Sequence, residues 1–125
     1  MNTLLLIEDN RTILENTAEL LELEGYTVLT AANGKIGFQK IVDHRPDLII
    51  CDVLMPEMGG LELLEKLGMH PEFRTIPLIF YSAKSEKKDI RKGMDLGAYD
   101  YVTKPCELEN LLASIRKCLK DSKLA

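Results

Sequence analysis

A chain of 125 residues with 46% hydrophobic content can bury one sizeable core and is too short for two domains. Sixteen Lys and Arg against twenty Asp and Glu give a net charge of -4, which argues against a nucleic-acid or membrane-surface binder as a whole. Its longest apolar stretches, Leu4 to Ile7 and Leu48 to Cys51, fall far below the roughly 20 residues of a membrane span, and no charged leader precedes them, so a cytoplasmic protein is expected.

Short apolar runs alternate with longer amphipathic segments along the whole sequence. Thr3–Ile7 reads as a first strand and ends in Glu8-Asp9. A helix is predicted to open after the capping residue Asn10, to carry Leu14, Ala18 and Leu21 on one face, and to close at Gly25. A second strand, Thr27 to Thr30, leads to a helix from about Asn33 to His44 with Phe38, Ile41 and Val42 on one face. The third strand, Leu48–Cys51, pushes Asp52 into a loop stiffened by Pro56, and Leu61, Leu64 and Leu67 mark a third helix. After a long loop from Gly68 to Ile76 come a fourth strand, Leu78 to Tyr81, and a helix starting near Ser85 marked by Ile90 and Met94. The last strand, Tyr99 to Val102, precedes a helix marked by Leu108, Leu111, Leu112, Ile115 and Leu119. Alternating β and α elements imply right-handed crossovers and a parallel sheet between two helix layers, an α/β fold occupying residues 1–125 as a single domain.

In a parallel sheet every strand end leaves the same edge, where ligands of open α/β sheets bind. Glu8 and Asp9, Asp52, Ser82 and Lys104 then converge. Three carboxylates a few ångströms apart repel unless a cation lies among them, and an oxygen-only cluster with open positions suits Mg²⁺. With a lysine and a hydroxyl alongside, these are the parts that phosphoryl transfer needs. Cys51, Cys106 and Cys118 form no C-x-x-C pair, so reduced thiols are expected rather than a disulfide framework or a zinc site.

Four motifs at four strand ends carry a resemblance covering essentially the whole chain. They are Leu4-Leu5-Leu6-Ile7-Glu8-Asp9-Asn10, the run from Pro46 to Gly60 through Asp52 and Pro56, Ile76 to Lys84 through Ser82, and Gly97 to Pro105 through Tyr101 and Lys104. The sequence resembles the receiver domain of two-component response regulators. That resemblance implies a flavodoxin-like (βα)5 sandwich with strand order 2-1-3-4-5. It implies Asp52 as phosphoacceptor, taking a phosphoryl group from a sensor histidine kinase or a histidine phosphotransfer protein. It implies Mg²⁺, replaceable by Mn²⁺, on Asp9 and Asp52 directly, on Glu8 through water, and on the Leu54 backbone carbonyl. Ser82 and Lys104 would contact the phosphoryl group, Tyr101 would follow Ser82 as the switch, and Lys104-Pro105 would be a cis peptide. The phosphorylated form would present the fourth helix, fifth strand and fifth helix to a downstream protein, as a monomer or a phosphorylation-dependent dimer, with no direct role for nucleic acid or membrane. The domain would act as a signalling module rather than an enzyme, apart from assisting its own phosphorylation and slow dephosphorylation.

Departures from the family pattern refine the expectations. Cys106 replaces the usual Phe and predicts looser packing beneath the start of the last helix or a different output contact; Gly59-Gly60 predicts a pliable loop after Pro56; Ser82 replaces the commoner Thr and keeps its hydroxyl. Leu54 cannot position a water, which predicts a long-lived aspartyl phosphate. It also stands where a haloacid-dehalogenase-type phosphatase would need a second acid, which disfavours that alternative. The cluster of Lys84, Lys87, Lys88, Arg91 and Lys92 reads first as a solvated face. His44 and His70 are expected in polar surroundings. With only Lys120 to Ala125 after Leu119, stand-alone action is expected, the N-terminal receiver piece of a longer regulator being the alternative.

Overall fold

In the computed structural model, which describes residues 2–124, ten elements alternate along the chain: β1 (Thr3–Ile7), α1 (Arg11–Leu23), β2 (Thr27–Ala31), α2 (Gly34–His44), β3 (Leu48–Cys51), α3 (Gly60–Gly68), β4 (Leu78–Ser82), α4 (Lys87–Asp95), β5 (Asp100–Thr103) and α5 (Leu108–Leu124). The five strands pair in parallel in the order β2-β1-β3-β4-β5, the flavodoxin-like order.

Strand alternation assigns the two helix layers. Leu4, Leu6, Leu48, Ile50 and Ile79 pack with Leu14, Ala18 and Leu21 of α1 and with Leu111, Leu112, Ile115 and Cys118 of α5. Leu5, Ile7, Ile49, Cys51, Leu78 and Phe80 point the other way, toward Ile41 of α2, Leu63 and Leu67 of α3, and Ile90 of α4. β3 is buried along its whole length, which explains its unbroken apolar run. Burying a residue such as Ile49 on each face contributes about 1.5–3 kcal/mol apiece. Among the described residues no helix is long and apolar enough to cross a membrane.

Helix starts follow their caps. The side-chain oxygens of Asn10 and Asn33 accept hydrogen bonds from the Ile13 and Ile36 amides at 3.0 and 2.8 Å, satisfying donors that the first turn leaves free. α4 begins at Lys87, later than the pattern suggested. The Lys84 carbonyl accepts from the Tyr101 hydroxyl at 2.5 Å, and the first helical acceptor is the Glu86 carbonyl, which takes the Ile90 amide at 3.1 Å. α5 runs past Leu119 to Leu124; there the Tyr99 hydroxyl bonds Asp121, and that bond pushes the phenol up to about 12. β5 admits the polar Asp100 because its carboxylate accepts from Ser114 Oγ at 2.6 Å and from the Tyr101 amide at 2.7 Å.

One side chain sits otherwise than the pattern suggested. Val42 is exposed while Gly34, Gly37 and Ile41 face inward. His70 has a polar side, its Nδ1 3.3 Å from Glu72 Oε1, and an aromatic one: its ring lies 5.5 Å from Phe38 and 6.1 Å from Phe73, and Phe73 meets Phe38 edge-on, fastening the loop after α3.

All three cysteines are free, Cys51 and Cys118 buried and Cys106 partly exposed. Burial pushes the Cys51 thiol well up and the Cys118 thiol to about 11. Thiolate is the reactive form. Titration of native protein with an aromatic disulfide reagent is therefore expected to modify Cys106 alone, the other two reacting only in denaturant; rapid native modification of Cys51 would contradict the packing.

Candidate functional site

Register brings the acidic residues together. β1 and β3 pair Ile7 with Cys51, so Glu8 and Asp52 emerge at the same level, held by the Glu8 amide on the Ala31 carbonyl at 3.0 Å and the Asp52 amide on the Ile7 carbonyl at 3.1 Å. One carboxylate oxygen from each of Glu8, Asp9 and Asp52 lies within 4.8 Å of the others. Their environments differ: Glu8 is buried, Asp52 half-buried and Asp9 exposed. All the donors are oxygen and one side of the cluster is open to water, which fits a hard divalent cation that keeps several waters.

Lys104 closes the far side. β4 and β5 pair Ser82 with Thr103, the Lys104 amide donates to the Ser82 carbonyl at 2.8 Å, and the Lys104-Pro105 peptide bond is cis. The ammonium hydrogen-bonds Glu8 Oε1 and reaches Asp52 Oδ2 at 3.2 Å. Burial lowers the pKa of Lys104, but the Glu8 hydrogen bond and the charge of Asp52 outweigh it and raise the pKa overall. Burial raises the Glu8 carboxyl, only partly offset by its hydrogen bond from Lys104. The direction that governs the site is that of Lys104: two carboxylates hold it as a cation.

Ser82 is almost fully buried, with Oγ accepting from the Lys84 amide. Tyr101 is buried as well, its ring 5.7 Å from Phe80. Its hydroxyl is fixed on the Lys84 carbonyl, so the loop after β4 is tied to Ser82 at one end and to Tyr101 at the other. Leu54 stands two residues past Asp52 and is 61% exposed. Together with Val53, Met55, Leu61, Glu62, Lys84 and Lys92 it lines a cavity of about 440 Å³ between α3 and α4.

The glycine pair after Pro56 has a role other than pliability. Gly59 has an ordinary extended φ of -78°, and a Cβ there would lie 2.8 Å from the Val53 carbonyl oxygen. A Cβ on Gly60 would lie 2.9 Å from Phe80 Cε1 and closer still to the Asp52 carbonyl oxygen. Both positions are tight because the start of α3 is pressed against the backbone that carries Asp52. Tyr81 lies within the motif Ile76 to Lys84 with no role read from the sequence; its ring packs against the α1 and α5 layer, and the Lys104 ammonium lies over it.

Comparison with known proteins agrees with this architecture. The response regulator receiver domain family matches residues 4–116. Response regulator ArlR of Staphylococcus aureus is 39% identical over 124 residues, covering 96% of this chain and 53% of that protein; the chain thus spans about half the length of the curated relatives it matches. Among solved structures, the receiver domain of a signal transduction histidine kinase from Syntrophus aciditrophicus is 36% identical with a TM-score of 0.89, covering 97% of this chain and 92% of that one. A CheY-like receiver domain protein from Methanospirillum hungatei is 29% identical with a TM-score of 0.90, covering 98% and 97%. The chain belongs to the response regulator receiver domains of two-component signalling.

Proposed function

We propose that residues 1–125 act as one phosphoacceptor domain, in which an Asp52 carboxylate oxygen attacks the phosphorus of a phosphohistidine on a sensor kinase or phosphotransfer protein. The P–N bond breaks as the P–O bond forms, and the departing imidazole nitrogen takes up a proton. The observation that carries this reading is the gathering of Glu8, Asp9 and Asp52 within 4.8 Å around an accessible carboxylate, with Lys104 against two of them. Asp9, Asp52 and the Leu54 carbonyl would hold Mg²⁺ or Mn²⁺, with Glu8 acting through water. When bound, the ion neutralises the equatorial oxygens of the transferring group. Lys104 supplies a further positive charge at the new acyl phosphate, and Ser82 donates its hydroxyl to a phosphoryl oxygen.

The modification adds roughly two negative charges and three acceptor oxygens. Ser82 Oγ accepts from the Lys84 amide and keeps its own hydrogen to donate to one of them; drawn toward the phosphoryl group, it carries the loop tied to Tyr101 with it. A shift between two states of this loop would alter the face formed by α4, β5 and α5, where an unidentified downstream protein or a second copy would read the change. The domain is a signalling module that assists its own modification.

Mass spectrometry of the protein incubated with acetyl phosphate and Mg²⁺ tests the reading. An acid-stable, base-labile phosphoryl gain on the peptide containing Asp52, absent when a chelator removes the ion, is expected; a gain confined to another peptide would refute it. The label should then persist. Leu54 offers no group to orient an attacking water, so Leu54→Asn is expected to shorten the aspartyl phosphate lifetime several-fold. A wild-type half-life of seconds would contradict this.

A further inference from the structure

Lys104 is held by more than its carboxylates. Its Nζ lies 5.0 Å from the centroid of the Tyr81 ring, and the lysine side chain is only 13% exposed. Tyr81 precedes Ser82 on β4 and packs, half-buried, against the core cluster shared by α1 and α5. Its hydroxyl makes a long contact with Cys106 Sγ at 4.0 Å, and Cys106 follows the Lys104-Pro105 bond directly. The ring therefore rests between the strand that carries Ser82 and the loop that carries Lys104.

We infer that Tyr81 is a positioning residue for Lys104, its ring face keeping the ammonium over Asp52 while hydrogen-bond partners are exchanged. The inference rests on the phosphoacceptor reading of Asp52.

A lysine head is a point charge on a four-carbon flexible stem, so carboxylates alone fix its distance better than its place. Glu8 is the nearer acceptor and Asp52 the farther. Without a third attraction the ammonium would settle on Glu8 and withdraw from the reacting oxygen. An aromatic face attracts a cation electrostatically, more strongly where water is excluded. It also consumes no N–H. Of the three ammonium donors, one serves Glu8 and one Asp52, which leaves the third for an oxygen of the incoming phosphoryl group. The sequence offers a reason for an aromatic here: with Cys106 in place of a bulkier side chain, the space beside the loop is filled from β4.

The test uses the full chain with Tyr81→Phe, Tyr81→Leu and Tyr81→Met, alone and combined with Lys104→Met. The first readout is independent of phosphorylation. In wild type and Tyr81→Phe the side-chain methylene protons of Lys104 should resonate upfield in the ring current, and in Tyr81→Leu and Tyr81→Met they should return toward ordinary lysine values. The second is the rate of Asp52 phosphorylation by acetyl phosphate with Mg²⁺. Tyr81→Phe should stay near wild type and Tyr81→Leu should fall about tenfold, the equivalent of a desolvated ring-cation contact. In the Lys104→Met background Tyr81→Leu should add nothing to the loss. An equal slowing in that background would mean that Tyr81 acts through general packing, and would overturn the proposal. So would a Phe variant as slow as the Leu variant, or methylene shifts unchanged on removing the ring. Should the Leu variant fail to fold, Tyr81→Met carries both readouts. Absence of any phosphorylation in wild type would sink the phosphoacceptor reading itself, and the methylene shifts would then decide alone whether the ring holds Lys104.

Discussion

Asp52→Asn is expected to abolish acid-stable, base-labile phosphorylation while leaving the fold in place. An amide oxygen is a poor nucleophile and cannot form an acyl phosphate. Its shape, however, matches the carboxylate, and Oδ1 can still accept from the Val53 amide, a bond of 2.6 Å in the native chain. With the amide in that orientation its NH₂ group faces the Lys104 ammonium, donor against donor, so Lys104 turns to Glu8. Losing one negative charge from a cluster of three carboxylates and one lysine relieves repulsion, and the two effects oppose each other. Stability without metal should consequently change by no more than about 1 kcal/mol. The response to Mg²⁺ should change far more. A ligand that binds only the folded state stabilises in proportion to the logarithm of its saturation. Removal of one of three carboxylates should weaken Mg²⁺ by about tenfold or more. Intact mass after acetyl phosphate treatment and the Mg²⁺ dependence of the melting temperature measure both effects. A mass gain in Asp52→Asn equal to that of wild type would remove Asp52 from its assigned role.

The order of elements and the convergence at one sheet edge were legible in the sequence because both rest on period and punctuation. β3 is apolar at every position since both faces are covered, and Asp52 falls where that run must end. Glu8 and Lys104 are 96 residues apart in the chain, yet parallel register places them together without any local signal at either site. What stayed hidden depends on three-dimensional partners. At the start of α4 the Lys84 carbonyl is taken by the Tyr101 hydroxyl and the helical bonds begin at the Glu86 carbonyl, and no helix propensity encodes that. The end of α5 is extended by a Tyr99–Asp121 bond beyond the last apolar residue of the pattern. His70 keeps the polar neighbour its sequence suggests in Glu72, but the Phe38 ring against it comes from α2, a pairing the local sequence does not show. Tyr81 lies within the motif Ile76 to Lys84 with no role read from it, and its relation to Lys104 arises only once β5 is laid beside β4.

The same distinction governs the glycines. A sequence reading of Gly59-Gly60 sees backbone freedom, whereas the fold uses the missing side chains to let α3 approach β3. These views predict opposite outcomes for Gly60→Ala. Gly60 is the first residue of α3, where alanine exceeds glycine in helix propensity by up to about 1 kcal/mol, so propensity alone predicts stabilisation. Packing predicts loss. The new Cβ would press on Phe80, which is fully buried, and on the Asp52 carbonyl, whose residue is anchored through its amide to the Ile7 carbonyl. Neither neighbour is the free end of a flexible chain. Overpacking of such a site costs about 1–3 kcal/mol, of which propensity returns only part. The strain should appear as a displaced Asp52, slowing phosphorylation by about tenfold or more even in folded molecules, because small displacements of a nucleophile are costly. Gly68→Ala, at the other end of the same helix, is the control: a Cβ there has nothing within 4 Å, so it should be neutral or stabilising and leave phosphorylation unchanged. Urea unfolding midpoints and acetyl phosphate kinetics on the two variants separate the readings. A Gly60→Ala protein as stable and as readily phosphorylated as Gly68→Ala would show that the start of α3 can move away from β3 at little cost.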